Sequence, residues 1–479
     1  MFGGISAPTL RHVVRRWLPI ASVPVVAAVV VVTLVNHAPS RPIAATTPSP
    51  SAAQDAGGAA AITTTATPSP TATPPPAATA APGAPSHAAT PRPAPAKAVP
   101  PPSLYALTGE SAVLIPCGAG AQERFGAAVA MTPDGSELVV GAVNAGNRNG
   151  AAYVLRRGAS GWTQAARLTV GDAPSGAFGN AVAVSSDGNT VLIGASLAGN
   201  GAAYVFNHAA DGWGQTAELT ANDGRTASDS FGDSVSLSAD GLTAAVSRPG
   251  YSAPGTAYIF TKSVGWSLTA TLSAAQPQSN DGFGDPVALA AGGTRLVLGY
   301  AGPSSAGVFD LSGGKWTQAA TLTATGSTRL GARVAISADG STVLVADEGY
   351  YSPSGTVFGY RQAGGTWSAQ GTLANPGAAG GGYGDALAIN ATGTRAVVGE
   401  YGALYNQGTA YGFASGGGPW SMQRHLSSPR PSSADMYGYA VAMSGDGSVT
   451  AVGAASLGAT GAVVIFDGTT PASPQTLHC

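Results

Sequence analysis

The sequence predicts an all-β chain, a seven-bladed β-propeller of four-stranded antiparallel blades, preceded by one transmembrane helix and a disordered linker. Three observations carry this expectation. A phrase of the type "FGNAVAVSSDGNTVLIGA" (178–195) occurs seven times, and each copy is followed by two further runs of strand type. Nothing between the runs has helical periodicity. An unbroken apolar run stands ahead of a Pro/Ala/Thr/Ser-rich stretch at the N-terminus.

The elements follow in chain order. Residues 1–16 form a short N-terminus carrying Arg11, Arg15 and Arg16. Residues 17–36 include "WLPIASVPVVAAVVVVTLV" and contain no charge. About 20 apolar residues span a bilayer core as a helix. Arginines ahead of the run place the N-terminus in the cytoplasm and the rest outside, as a single-pass membrane protein. A cleaved secretory signal, with Ala44-Ala45 as its cleavage context and a secreted product, is the other reading.

Residues 37–103 are of the type "TATPSPTATPPPAATAAP". Such a segment has too few large apolar side chains to form a core and stays extended. In polyproline geometry it reaches up to ~200 Å, enough to hold a domain clear of a cell wall. Its Ser and Thr residues next to Pro suit O-glycosylation.

Residues 104–479 hold the repeats, which open at Phe125, Phe178, Phe231, Phe283, Leu330, Tyr383 and Tyr437. In unit two the four strand-type runs are "NAVAV", "TVLIGA", "AAYVF" and "QTAELT". Asp-Gly between the first two is a hairpin signal and suggests a type I′ turn. A Trp followed by Leu six residues later marks the fourth run, from Trp162/Leu168 to Trp420/Leu426. A single blade has two apolar faces and cannot bury them alone, so seven of them close into a ring.

Phe-Gly at the start of units one to four, and Gly-Ala or a variant after the second run, resemble the FG-GAP repeat of integrin α-subunit propellers and their bacterial relatives. The resemblance covers residues 125 to about 467. It implies a propeller whose function is adhesion or scaffolding, with ligands taken on the face that carries the loops between second and third strands. It also implies Ca²⁺ in the first hairpin of some blades.

The residues themselves give that metal little support. Each hairpin offers one Asp (Asp134, Asp187, Asp240, Asp339, Asp446), and units four and six have none. Ca²⁺ takes six to eight oxygens. The weak candidates lie elsewhere, in "ANDGRTASDSFGD" with Asp223, Asp229 and Asp233, echoed by Asp281 and Asp285. No cofactor is otherwise expected.

Catalysis is not expected either. The six His residues form no cluster, and "GASLAG" (194–199) misses the spacing of a nucleophile elbow by one residue. A net charge of −2, with 10% charged residues, makes nucleic acid an unnatural partner.

In units three to six the loops after the second run turn aromatic. They bring Tyr251, Tyr300, Tyr350, Tyr351, Tyr401 and Tyr405 to one face, with Arg248, Glu348 and Glu400. Tyr suits recognition of an extracellular or envelope protein or a glycan. The expected function is a non-catalytic recognition or adhesion module. An extracellular polysaccharide-active enzyme and a purely structural envelope protein are the alternatives.

The chain's two cysteines, Cys117 and Cys479, flank the repeats. "AVLIPC" and "PQTLHC" both read as fourth strands, so both termini are expected at the outer edge of blade seven, joined by a disulfide.

Overall fold

In the computed structural model, described over residues 26–28, 112–171, 176–221, 223, 230–250, 253–279, 281–348, 355–377, 381–468 and 475–477, the repeats form seven antiparallel sheets. Blade two shows the pattern. Its inner strand is Ala181–Val184, followed by Thr190–Ala195, Ala202–Ala209 and the outer strand Gly212–Leu219. The two middle strands are buried over most of their length, whereas the outer strand alternates with solvent. Inner strands of successive blades touch, and blade seven (Tyr437–Met443) touches blade one (Phe125–Met131), so the ring is closed.

Glycine holds the blades together at the end where the inner strands begin. At the junction of blades two and three, a Cβ on Gly194 would overlap the carbonyl oxygen of Gly232. One on Gly201 would overlap that of Phe231, and one on Gly232 that of Ala202. All three approaches are inside 3.0 Å, which real Cβ atoms essentially never show. Gly201 and Phe231 also bridge the two blades as parallel strand partners. Backbone therefore packs on backbone, and the repeated Gly is steric. Three blades depart from the pattern, with Ser247 and Ala346 in place of the first Gly and Ser304 in place of the second. Ser304 keeps the left-handed backbone, with φ 55, and its hydroxyl accepts the Leu330 N–H at 2.9 Å.

At the opposite end the hairpin turns are linked in a circle. Ser186 N–H donates to Ala239 O, Ala239 to Ala291, Ala291 to Ala338, Asp339 to Ala391, Ala391 to Gly445 and Gly445 to Pro133 O. Pro133 has no N–H with which to continue to blade two. Each Asp of these turns folds onto its own hairpin. Asp187, for instance, accepts from Ser185 Oγ at 2.5 Å and Asn189 N at 3.0 Å. These bonds outweigh partial burial and hold Asp134, Asp187, Asp339 and Asp446 below the usual carboxylate range. Only the Gly of each Asp-Gly has positive φ, so the turns are not type I′. Gly188 N–H returns to Ser185 O, a four-residue turn with Gly in its last place.

Between these rings, Phe125, Phe178 and Phe231 are wholly buried. Each stands against the Tyr of its own third strand, with ring centroids 5.4, 5.8 and 5.3 Å apart. Trp162 is buried, whereas Trp213, Trp266, Trp316 and Trp367 are half-buried against the core. They act in blade packing; Arg295 of blade four, for example, covers the Trp367 ring.

Blade seven is completed by both ends of the domain. Ala112–Leu114 is its fourth strand, antiparallel to Ala462–Phe466, and Gln475–Thr476 adds a fifth, parallel to Ala112–Leu114. The expected membrane helix and linker lie outside the described residues, except for Val26–Ala28. There the backbone is extended and pairs parallel with Ala181–Val184. Among the described residues no helix is long and apolar enough to cross a membrane.

The glycine junctions make a direct test. Gly201→Ala introduces a Cβ into a carbonyl at φ 83 and should lower stability by about 2–4 kcal/mol. Gly214→Ala, with nothing within 4 Å, should change it by less than about 0.5 kcal/mol. Chemical denaturation of the two variants against the parent measures both.

Candidate functional site

The inner strand of each blade starts where the second strand ends; Phe283 pairs with Tyr300, and Tyr383 with Glu400. The residue after Phe-Gly therefore lies at the same end of the ring as the loops between second and third strands. Around the ring this place is taken by Ala127, Asn180, Asp233, Asp285, Ala332, Asp385 and Tyr439. Beside it stands the residue after the Gly-Ala of the preceding blade, including Ser196, Glu348 and Tyr401. This end of the ring is thus polar and uneven, with buried carboxyl groups on blades three to six and an aromatic pair where blade six meets blade seven.

The acids are buried. Exposure is 0% for Asp233, 5% for Asp285, 1% for Asp385 and 7% for Glu348. Oδ1 of Asp285 makes no hydrogen bond; the Asp233 carboxyl has the Ser196 hydroxyl beside it and the Asp385 carboxyl has Glu348, neither pair in good hydrogen-bond geometry. Burial raises the Asp233 carboxyl well above the usual range, and the neighbouring Asp285 charge raises it further. Burial lifts Asp285 to about 7, with Arg333 opposing and Glu348 adding to the rise. Asp385 is raised by burial and then by Glu348, which faces it.

Arg333 is the cation among them. Its Nε donates to Asp385 O at 2.9 Å and its Nη1 to Ala332 O at 2.6 Å. Arg329 reaches Glu348 at 3.8 Å. On the far side the Tyr439 ring packs edge-on against Tyr401 at 5.2 Å, and Arg124 lies over it at 5.4 Å. Asn180 fastens blade two to blade three, donating to Gly232 O and Asp233 O and accepting from Ser196 N–H.

The expected calcium residues are not brought together. Asp223 is taken by Arg248 Nη1 at 2.7 Å and by Tyr258 Oη at 2.5 Å, a clasp for the loop between blades two and three. Asp281 accepts from the backbone N–H of Gly255, Gln278 and Phe283 and shapes its own loop. Asp229 lies outside the described residues. Asp233 and Asp285 are buried beside one another at the start of the inner strands of blades three and four. Among the described residues no group of three or more His, Cys, Asp or Glu is arranged to hold a metal ion.

Of the six tyrosines, Tyr251, Tyr350 and Tyr351 lie outside the described residues. Tyr405 falls in the short helix Ala403–Asn406 after the second strand of blade six. Tyr300 and Tyr401 are half-buried and rest on Phe283 and Tyr439. Glu400 is buried and reaches Asn375 at 3.2 Å, so it secures the loop before blade six.

The sequence did carry a signal for the buried acids, the third position of the Phe-Gly phrase, which holds Asp in three of seven units. Its meaning depends on the ring, because those residues are more than 50 positions apart and meet only around the axis.

The burial of these acids sets a pH dependence. Their folded-state pKa values lie above the unfolded value of about 3.9. The neutral forms therefore stabilise the fold fully at low pH, and this contribution is lost as pH rises through the folded value, about 7 for Asp285. The melting temperature should fall between about pH 4.5 and about pH 8. The combined Asp233→Asn, Asp285→Asn and Asp385→Asn variant should lose most of that fall. A parent curve that is flat or rises over this range contradicts the account.

A family model for the FG-GAP repeat matches residues 108–155, 162–206 and 213–260. No curated protein matches the chain. Among solved structures, the hydrazine synthase of Kuenenia stuttgartiensis is similar at 15% identity. That match covers 68% of this chain and 91% of the other, with a TM-score of 0.46. A protein from Lactobacillus plantarum is similar at 17% identity over 63% of this chain and 85% of its own, also with a TM-score of 0.46.

Proposed function

We propose that this chain, a seven-bladed β-propeller carrying FG-GAP repeats, is a non-catalytic recognition or adhesion module held outside the cell on an N-terminal membrane anchor. One observation carries the reading. The loops between second and third strands of blades three to six share the end of the ring where the inner strands begin, and they are the loops rich in Tyr. Tyr combines a large contact area with a hydroxyl and loses little side-chain entropy on binding. Its partner is an envelope protein or glycan. The tether reading rests on the apolar run at 17–35 and the Pro-rich stretch behind it.

A screen of the full chain against envelope proteins and glycan arrays identifies the partner. The double variant Tyr350→Ala/Tyr351→Ala should then weaken binding at least about tenfold, the scale of a lost aromatic anchor. The melting temperature should be nearly unchanged. Undiminished binding sinks the reading, and a collapsed melting temperature reassigns these rings to packing.

The same reading places the domain in an oxidising compartment, where Cys117 and Cys479 form a disulfide. Support comes from the strand Gln475–Thr476, which runs parallel beside Ala112–Leu114 and brings the two ends of the domain to one edge of blade seven. Cys479 itself lies outside the described residues. A bridge there closes a very long loop and contributes ~2–4 kcal/mol. Thiol titration of the denatured, unreduced protein should find no free thiol, and Cys479→Ser should lower the melting temperature; two titratable thiols per chain refute the bridge.

A further inference from the structure

We infer that a cleft between blades four and five binds a neutral saccharide, at the end of the ring opposite the tyrosine-rich loops. The inference goes beyond the recognition reading above, because it assigns a second site with its own ligand.

The cleft exists because two positions depart from the repeat. Blade four has Gly292 where five other hairpins have Asp134, Asp187, Asp240, Asp339 and Asp446. No side chain therefore fills the turn, and a Cβ there would meet only Thr294 Oγ1, at 3.8 Å. Blade four also has Arg295 where blades two, three, five and seven have Thr190, Thr243, Thr342 and Thr450. The result is a cleft of about 460 Å³, within the roughly 300–1,000 Å³ of small-molecule sites. It is open to solvent, since Gly292, Thr294, Ser312 and Asp339 on its walls are exposed.

Blade packing fixes its polar groups. Arg295 pairs across the sheet with Asp310, its Nε and Nη2 donating to the two carboxylate oxygens at 2.6 and 2.7 Å. Its Nη1 donates to Gly340 O at 3.0 Å and to Gln362 Oε1 at 2.6 Å, both of blade five. The guanidinium also covers the Trp367 ring, 5.6 Å from its centroid. The charged pair is thus held in one orientation, and each Asp310 oxygen keeps a lone pair for a further donor. Thr294 and Ser312 offer hydroxyls that, among the described residues, no protein group takes up. Ala290, Leu311 and Ala338 supply an apolar patch.

These groups select the ligand. The Arg295 charge is matched by Asp310, and Asp339 accepts from Ser337 Oγ, Ser341 N–H and Ser341 Oγ. An anion would meet two carboxylates, and an organic cation would meet Arg295. Among the described residues no group of three or more His, Cys, Asp or Glu is arranged to hold a metal ion. A neutral ligand with many hydroxyls fits, because a hydroxyl can donate to Asp310 and can exchange bonds with Thr294 and Ser312. A pyranose ring adds a C–H face that suits the apolar patch.

Saturation-transfer NMR titration of the full chain with methyl α-mannoside, methyl β-glucoside, methyl β-galactoside and N-acetylglucosamine tests this. At least one of these should bind, and more tightly than glucosamine, glucuronate or inorganic phosphate. Gly292→Asp restores the side chain of the other hairpins; it should abolish the signal and leave the melting temperature nearly unchanged. Thr294→Ala/Ser312→Ala should weaken binding about tenfold, as expected for two lost hydrogen bonds. Tyr350→Ala/Tyr351→Ala should leave it intact.

No binding by any of the neutral sugars, tighter binding of a charged probe, or full binding by a folded Gly292→Asp variant each overturns the inference. Loss of binding in the tyrosine variant in place of Gly292→Asp moves the saccharide to the tyrosine face and equally overturns it. Should Gly292→Asp not fold, the Thr294/Ser312 variant decides, and unchanged binding there has the same effect. Sugar binding at the cleft and partner binding at the tyrosine face are read separately, so either can fail while the other stands.

Discussion

Backbone touching backbone between neighbouring blades is the contact on which this propeller depends. Gly194, Gly201 and Gly232 show why. Each lies where one strand's carbonyl fills the space of a Cβ in the next blade. The contact brings inner strands close enough for Val, Ile and Leu side chains to interdigitate around the axis, which is where apolar burial is gained. Where Gly is absent the junction adjusts locally. Ser304 keeps the left-handed backbone and replaces the steric role with a hydrogen bond.

The repeat in the sequence and the blade in space are not the same unit. The matched segment 162–206 takes in the outer strand of blade one and the inner three strands of blade two, and 213–260 does the same one blade later. The first match, 108–155, begins with Ala112–Leu114, which belongs to blade seven. Each unit therefore straddles a junction, so the junction and its glycines are written inside one repeat. Closing the ring then needs no special element, because the first repeat lends its opening strand to the last blade.

Much of this was legible in the sequence, for physical reasons. The fixed Trp–Leu spacing and the Phe-Gly phrase reflect positions that recur in every blade, so seven blades and a seam at blade seven could be read directly. The turn type could not. Asp-Gly suits a type I′ turn, but the Asp side chains bond the preceding Ser or Thr and leave positive φ to Gly alone. Asp223 and Asp233 looked like one loop's acidic cluster. Ten residues separate them, yet one clasps Arg248 and Tyr258 while the other is buried beside Asp285 and Ser196. Proximity in sequence misled there, and register within the repeat carried the information.

The seam has a mechanical meaning. Chain N-terminal to Ala112 enters the ring through the strand that completes blade seven, flanked by Ala462–Phe466 on one side and Gln475–Thr476 on the other. Tension drawn along that chain is therefore borne first by three residues of ladder pairing and not by the channel or the loops around it. The fifth strand shares that load, and the Arg157–Asp467 ion pair fastens blade one to the end of blade seven's third strand. The structure separates the place where a pull arrives from the face where a partner is proposed to dock. A pull applied to the chain just ahead of Ala112 would open the outer edge of blade seven first.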